Sequence, residues 1–147
     1  VDVANPFAGP PDEKVSEQIL TRVLSNVNHA YLEKDPAALR QALGIVVIDD
    51  KLADVEVELG RALTIKVAGG GIARVKAIEN LTVKDITALE GVSGFRSVAE
   101  WTAIASGGHW GHAHRRKIRF RALVELVEIN SVWKISGITV VDVKTQS

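Results

Sequence analysis

The sequence has no cysteine and no methionine, and among its 147 residues it holds one tyrosine, three phenylalanines and three tryptophans. Without cysteine there is no disulfide, no thiolate nucleophile and no cysteine-ligated zinc, and the redox compartment is left open. An excess of charge of either sign is missing too, since eighteen basic residues balance eighteen acidic ones. A formally neutral chain with 46% hydrophobic residues is neither a polycationic nucleic-acid binder nor an acidic disordered tail. No run approaches the ~20 apolar residues of a membrane-spanning helix, and no signal-peptide core is present. Proline is scarce, and three of the four fall in the opening Asn5-Pro6-Phe7-Ala8-Gly9-Pro10-Pro11. Proline and glycine so close together defeat regular structure. Residues 1–12 therefore read as a linker or processed N-terminus, and 13–147 as a single domain large enough to bury its own core. A linker behind a non-methionine first residue suggests an exported, periplasmic or membrane-attached protein, with a membrane anchor or further domains outside this chain. A cytoplasmic location is the alternative.

The chemistry is concentrated in His109-Trp110-Gly111-His112-Ala113-His114-Arg115-Arg116-Lys117-Ile118-Arg119-Phe120-Arg121, which holds three of the four histidines. The β-rich run continues through Ala122-Leu123-Val124-Glu125-Leu126-Val127 without glycine or proline, so the block reads as the start of one long strand. Alternation places Trp110, His112, His114, Arg116, Ile118, Phe120, Ala122 and Val124 on one face and Arg115, Lys117, Arg119 and Arg121 on the other. The first face passes from indole and imidazoles to an apolar floor, as a pocket wall does between mouth and base. The second is a cation row. It lacks interleaved aromatics for base stacking, so it reads as a solvated face paired with carboxylates on adjacent strands, not as a nucleic-acid surface.

The rest of the chain supplies a frame. Val15, Ile19, Leu20, Val23, Leu24, Val27, Ala30 and Tyr31 form the stripe of a helix from Asp12 to about Lys34, with Asp12 as cap. Asp35-Pro36 starts a second helix over Pro36 to Leu43, which Gly44 is expected to stop, and Ile45 to Ile48 suits a short buried strand. Leu52, Val55, Leu59, Ala62 and Leu63 keep helical spacing, although Val55, Val57 and Leu59 also alternate as in a strand. Gly69-Gly70-Gly71 lacks the lysine pattern of a phosphate loop and reads as a plain turn. A strand through Val75, Ala77 and Val83, a loop over Ala88 to Gly94 and a strand from Phe95 to Ser106 carrying Trp101 follow. Gly107-Gly108 gives a hairpin signal that makes Trp101 an antiparallel neighbour of the histidine strand. A turn at Asn130-Ser131 leads to a last strand over Val132 to Val143. The predicted class is α+β, with N-terminal helices packed on a strongly curved, mostly antiparallel sheet.

Two helices joined at Tyr31-Leu32-Glu33-Lys34-Asp35-Pro36, a short strand, a further helix and a meander ending in Trp133-Lys134-Ile135-Ser136-Gly137-Ile138 resemble the nuclear-transport-factor-2-like superfamily. The likeness runs from Glu13 to Val143 and implies a cone in which helices cross a cupped sheet. The His-Trp-Gly-His-Ala-His-Arg segment resembles one in uncharacterised exported or membrane-attached bacterial domains of this type. The superfamily includes isomerases, dehydratases and polyketide cyclases as well as members that only bind or assemble, so fold does not choose function. Its enzymes place a carboxylate or a histidine–aspartate pair inside the cone. Here no acidic residue shares the His112 face before Glu128.

The expected role is therefore a non-enzymatic ligand-binding or assembly domain, with an enzyme using His112 or His114 as general acid/base as the alternative. Tyr31, Trp101, Trp110, His112, His114, Arg116 and Phe120 are the candidate ligand-lining residues. Arg116, able to hold a carboxylate through two hydrogen bonds, points to an anionic small molecule with an apolar body. The plainer reading of the imidazoles is that they hydrogen-bond backbone, Trp110 or Glu100 at the rim of the cone. A structural zinc wants four ligands and no carboxylate is placed for one, so neither a metal nor another cofactor is expected; His109, His112 and His114 are the candidates if one binds. His29 reads as a flanking surface residue. A homodimer through the outer sheet face is expected, and no nucleic-acid partner.

Overall fold

The first helix, α1 (Glu13–Ala30), starts where Asp12 accepts a hydrogen bond from the Val15 backbone nitrogen at 2.8 Å, satisfying one of the unpaired donors of its first turn. It buries Leu20, Val23, Leu24, Val27 and Ala30 of the predicted stripe together with Ser16, while Ile19 and Tyr31 are partly buried and Val15, in the first turn, is 43% exposed. It ends at Ala30, short of Lys34, through tight bonds from Leu32 N to His29 O and from Glu33 N to Ala30 O. The cause is Asp35, which must be extended because a proline follows it, so the chain leaves the helix early. This computed structural model describes residues 11–33, 35–63, 74–109 and 112–146, with side chains except at 61–63, 74–76, 105–109, 112–116 and 145–146.

Asp35 caps α2 (Pro36–Val46) by accepting from Ala38 N at 3.1 Å. Contrary to expectation, Gly44 does not stop α2. A glycine inside a helix costs only about 1 kcal/mol, and burial of Leu43 and Val46 one turn apart outweighs that. The expected strand over Ile45 to Ile48 shrinks accordingly to one parallel bridge between Val47 and Ile135, reinforced by Ile48 N donating to Ile135 O at 3.0 Å. A single 3-10 turn (Asp49–Lys51) leads into α3 (Leu52–Leu63). Val55 is 2% and Leu59 4% exposed while Val57 is 72% exposed, so the helical period prevails over strand alternation. The triple glycine lies outside the described residues.

The sheet is an antiparallel meander, β1 (Arg74–Ala88), β2 (Gly94–His109), β3 (His112–Ile129) and β4 (Val132–Gln146), in the order β1-β2-β3-β4. The class is α+β, with the helices N-terminal to the strands. β1 runs on to Ala88, shortening the expected loop, and its register slips in three places, with Asn80 at φ 54° and Asp85 at φ 55°. Gly94 is required where β2 begins, because a Cβ there would run into the Leu126 carbonyl oxygen. Asn130 and Ser131 both adopt left-handed φ, 51° and 67°, the pair a type I′ hairpin turn needs.

The expected turn at Gly107-Gly108 is overturned. β2 continues through both glycines, pairing Gly107 with His114, Gly108 with Ala113 and His109 with His112. The link between the strands is Trp110-Gly111, which lies outside the described residues. β3 begins at His112, not before Trp110.

The step Trp133-Lys134-Ile135 ties the layers together. Trp133 meets Phe95 edge-on with ring centroids 5.4 Å apart, Lys134 Nζ donates to Gly44 O at 3.4 Å near the C-terminus of α2, and Ile135 takes the Val47 bridge. A cation at the carbonyl end of a helix is favourable. On the open side of β4, Val140 N donates to Glu58 Oε2 of α3 at 2.7 Å, so a helix carboxylate occupies a backbone donor that a further strand would use. No helix among the described residues is long and apolar enough to cross a membrane.

Candidate ligand site on the inner sheet face

The two faces of β3 are separated as the alternation predicts. Ile118, Phe120, Ala122, Val124 and Leu126 are buried under the helices, while Lys117 and Arg121 are exposed. A shift of one residue would bury the cations instead, which is why the phase is so firmly set. The cation row is answered by carboxylates: Arg119 reaches Glu100 at 3.5 Å and donates to Thr102 Oγ1 at 3.0 Å, and Arg121 lies 3.9 Å from Asp142. Further along, Arg96 meets Glu125 at 2.6 Å and Ser136 Oγ donates to the other Glu125 oxygen at 3.3 Å. Glu100 is thus an outer-face residue engaged by Arg119, and it is not placed to serve an inner-face imidazole.

Trp101 and Phe120, directly paired across β2 and β3, close the described part of the inner face. Trp101 is 6% and Phe120 2% exposed. The cavity they border with Leu24, Val27, Leu59 and Val140 amounts to about 20 Å³, room for roughly one water molecule. No drug-sized molecule fits there, since ligand pockets run to roughly 300 Å³ or more.

Tyr31 is half-buried at the C-terminal end of α1, and its hydroxyl donates to the Glu56 carbonyl of α3 at 3.4 Å. Burial, and secondarily the Glu56 carboxylate, push its pKa up to about 12. The neutral phenol is a fixed donor between two helices at neutral pH, not an acid or base. His29 is exposed, as expected, beside the open groove formed with Glu33, Ala42, Ile45 and Val46.

Toward the β2–β3 hairpin end, the inner-face positions on β2 after Trp101 are Ala103, Ala105, Gly107 and His109, and those on β3 before Phe120 are Ile118, Arg116, His114 and His112. Ala103, Ala105 and Gly107 are thus paired with the larger Ile118, Arg116 and His114, and His109 with His112. The register is unbroken from Gly94 to His109, so these positions share the face of Trp101 and Phe120. Of the candidates, His112, His114 and Arg116 lie on one strand of that face, His109 is directly across from His112, and Trp110 lies outside the described residues. His109 was a candidate in the sequence, but its place on the opposite strand was not legible there because Gly107-Gly108 resembled the turn itself. No protein-family model matches this chain, and a comparison with curated proteins finds no match.

Proposed function

We propose that the chain is a non-enzymatic ligand-binding or assembly domain with the cone architecture of the nuclear-transport-factor-2-like superfamily, belonging to an exported or membrane-attached bacterial protein. The observation that carries this reading is the packing around Trp101 and Phe120: among the described residues their stack leaves a cavity of about 20 Å³, too small for a substrate there. No acidic residue shares the inner face of β3 before Glu128, and Glu100 is engaged by Arg119, so among the described residues β2 and β3 place no carboxylate on that face near His112 and His114. The ligand is then held at the rim by His112, His114 and Arg116, over Trp101 and Phe120. Cationic and imidazole groups above an apolar floor suit an anionic molecule with an apolar body.

Assembly is proposed through the outer sheet face. Arg96, Arg119 and Arg121 on that face are paired with carboxylates of the same chain, and Leu123, 42% exposed, borders a shallow depression with Arg96, Glu125, Gly137 and Thr139. Charges neutralised in this way are cheaper to cover than an unpaired row.

The test of the ligand reading is calorimetric titration with phenylacetate and octanoate. Saturable binding that is lost in Arg116→Ala is expected, and failure of both carboxylates to bind the wild-type chain would overturn it. Light scattering tests assembly: a mass twice the 15.8 kDa chain is expected, and a monomer at high concentration counts against it.

A further inference from the structure

We propose that His109, His112 and His114 together form a site for one divalent first-row metal ion of the zinc and copper class at the end of the β2–β3 hairpin. The inference goes beyond the proposed function and does not depend on it. Spacing along one strand supplies two ligands, His112 and His114, and leaves the side from which His109 would join them undefined. The register supplies the third, because His109 pairs directly with His112.

Residues directly opposed across an antiparallel pair share a face with Cβ atoms ~5 Å apart. Residues two apart on one strand share that face about 6.6 Å apart along the chain. His109, His112 and His114 therefore occupy three adjoining register positions on a single face. That is the span three imidazoles bridge when they meet on one ion at Zn–N distances of about 2.0–2.1 Å.

Gly107, opposite His114, contributes no side chain to that face, and Ala105 opposite Arg116 contributes only a methyl. The chain has no cysteine, so the ligand set is nitrogen only, which suits zinc, copper or nickel. Three neutral imidazoles leave one position of a tetrahedral ion open for water or an anion. The site also lies beyond the flanking strands: β1 first pairs at Arg74 with Ser106, and β4 last pairs at Gln146 with Lys117. Among the described residues the tip is a two-stranded ribbon. Such ribbons have little stability of their own, so an ion bridging the strands would hold this one shut.

The experiment is zinc titration of the chain freed of any histidine tag, by calorimetry and by elemental analysis after gel filtration. One equivalent of zinc is expected, lost in the His109→Ala, His112→Ala and His114→Ala variants and kept in His29→Ala, which removes the histidine on α1. Cobalt in place of zinc should give the intense visible bands of tetrahedral coordination. Binding should also weaken at least tenfold as the pH falls from 7.5 to 5.5, where imidazole protonates. That pH readout on wild-type protein stands even if a variant fails to fold. Absence of stoichiometric zinc from the wild-type chain, or its retention in the triple alanine variant, would overturn the site.

Discussion

Trp101 and Phe120 stack across the β2–β3 ladder with ring centroids 5.4 Å apart and planes inclined by 17°. Offset aromatic pairs add about 0.5–1.5 kcal/mol to the area they bury, and truncating a buried phenylalanine costs about 3–5 kcal/mol. Phe120→Ala should lower unfolding free energy in urea by that amount. It should also enlarge the adjoining cavity enough to admit benzene or xenon, detectable by ligand-dependent thermal shift. A loss below about 1 kcal/mol would mean that the pair is not the plug described.

Glu58→Ala removes the acceptor from Val140 N and exposes part of the β4 margin. A hydrogen bond to a charged group contributes about 1.5–3 kcal/mol, so the melting temperature should drop. Glu58→Gln should restore part of the loss. Equal stability of Glu58→Ala and wild type in thermal unfolding would refute the role of this contact.

Tyr31 is the only tyrosine, so tyrosinate absorbance reports on it alone. Its folded pKa is raised to about 12 from an ordinary value of 10, and the unfolded chain therefore loses the phenolic proton first. The contribution of the neutral phenol to stability is present in full below pH 10 and disappears as the pH rises from 10 to about 12. A titration midpoint near 10 in the folded protein would contradict the buried hydroxyl.

Ser97 Oγ is buried on the inner face of β2 and has no hydrogen-bond partner among the described residues. An unsatisfied buried hydroxyl costs about 1–3 kcal/mol, so Ser97→Ala should be neutral or stabilising in urea unfolding. A clear loss of stability would reveal a partner for this hydroxyl.

At Gly94 an added Cβ would meet the Leu126 carbonyl oxygen, with Leu89 Cδ1 at 3.0 Å. Gly94→Ala must displace backbone and should cost about 1–3 kcal/mol, whereas Gly44→Ala, with nothing within 4 Å of its Cβ, should stabilise α2 by up to about 1 kcal/mol. The opposite order of the two variants in thermal unfolding would be the failing result.

What could be read in the sequence was whatever depends on neighbours in the chain. The caps at Asp12 and Asp35, the α1 stripe and the two faces of β3 follow from spacing, because a wrong phase would bury Arg119 or expose Phe120. Glycine misled twice. At Gly44 and at Gly107-Gly108 its local cost or turn preference is small beside the burial of Leu43 and Val46 and the long β2–β3 ladder. Nor could spacing reveal the contact of Val140 with Glu58 or of Lys134 with Gly44, which join residues 82 and 90 apart. The pairing of His109 with His112 belongs to this second kind, since no periodicity encodes it.

The irregularities of β1 bear on the crowded, concentrated state of the protein. Its register slips between Val75 and Ala77, between Glu79 and Thr82 and between Lys84 and Thr87, and Asn80 and Asp85 turn the backbone into left-handed φ. An incoming strand would find only short stretches of matching donors and acceptors before the ladder broke. A second copy adding along that margin would find no long ladder to extend, which disfavours fibrous growth from the β1 edge.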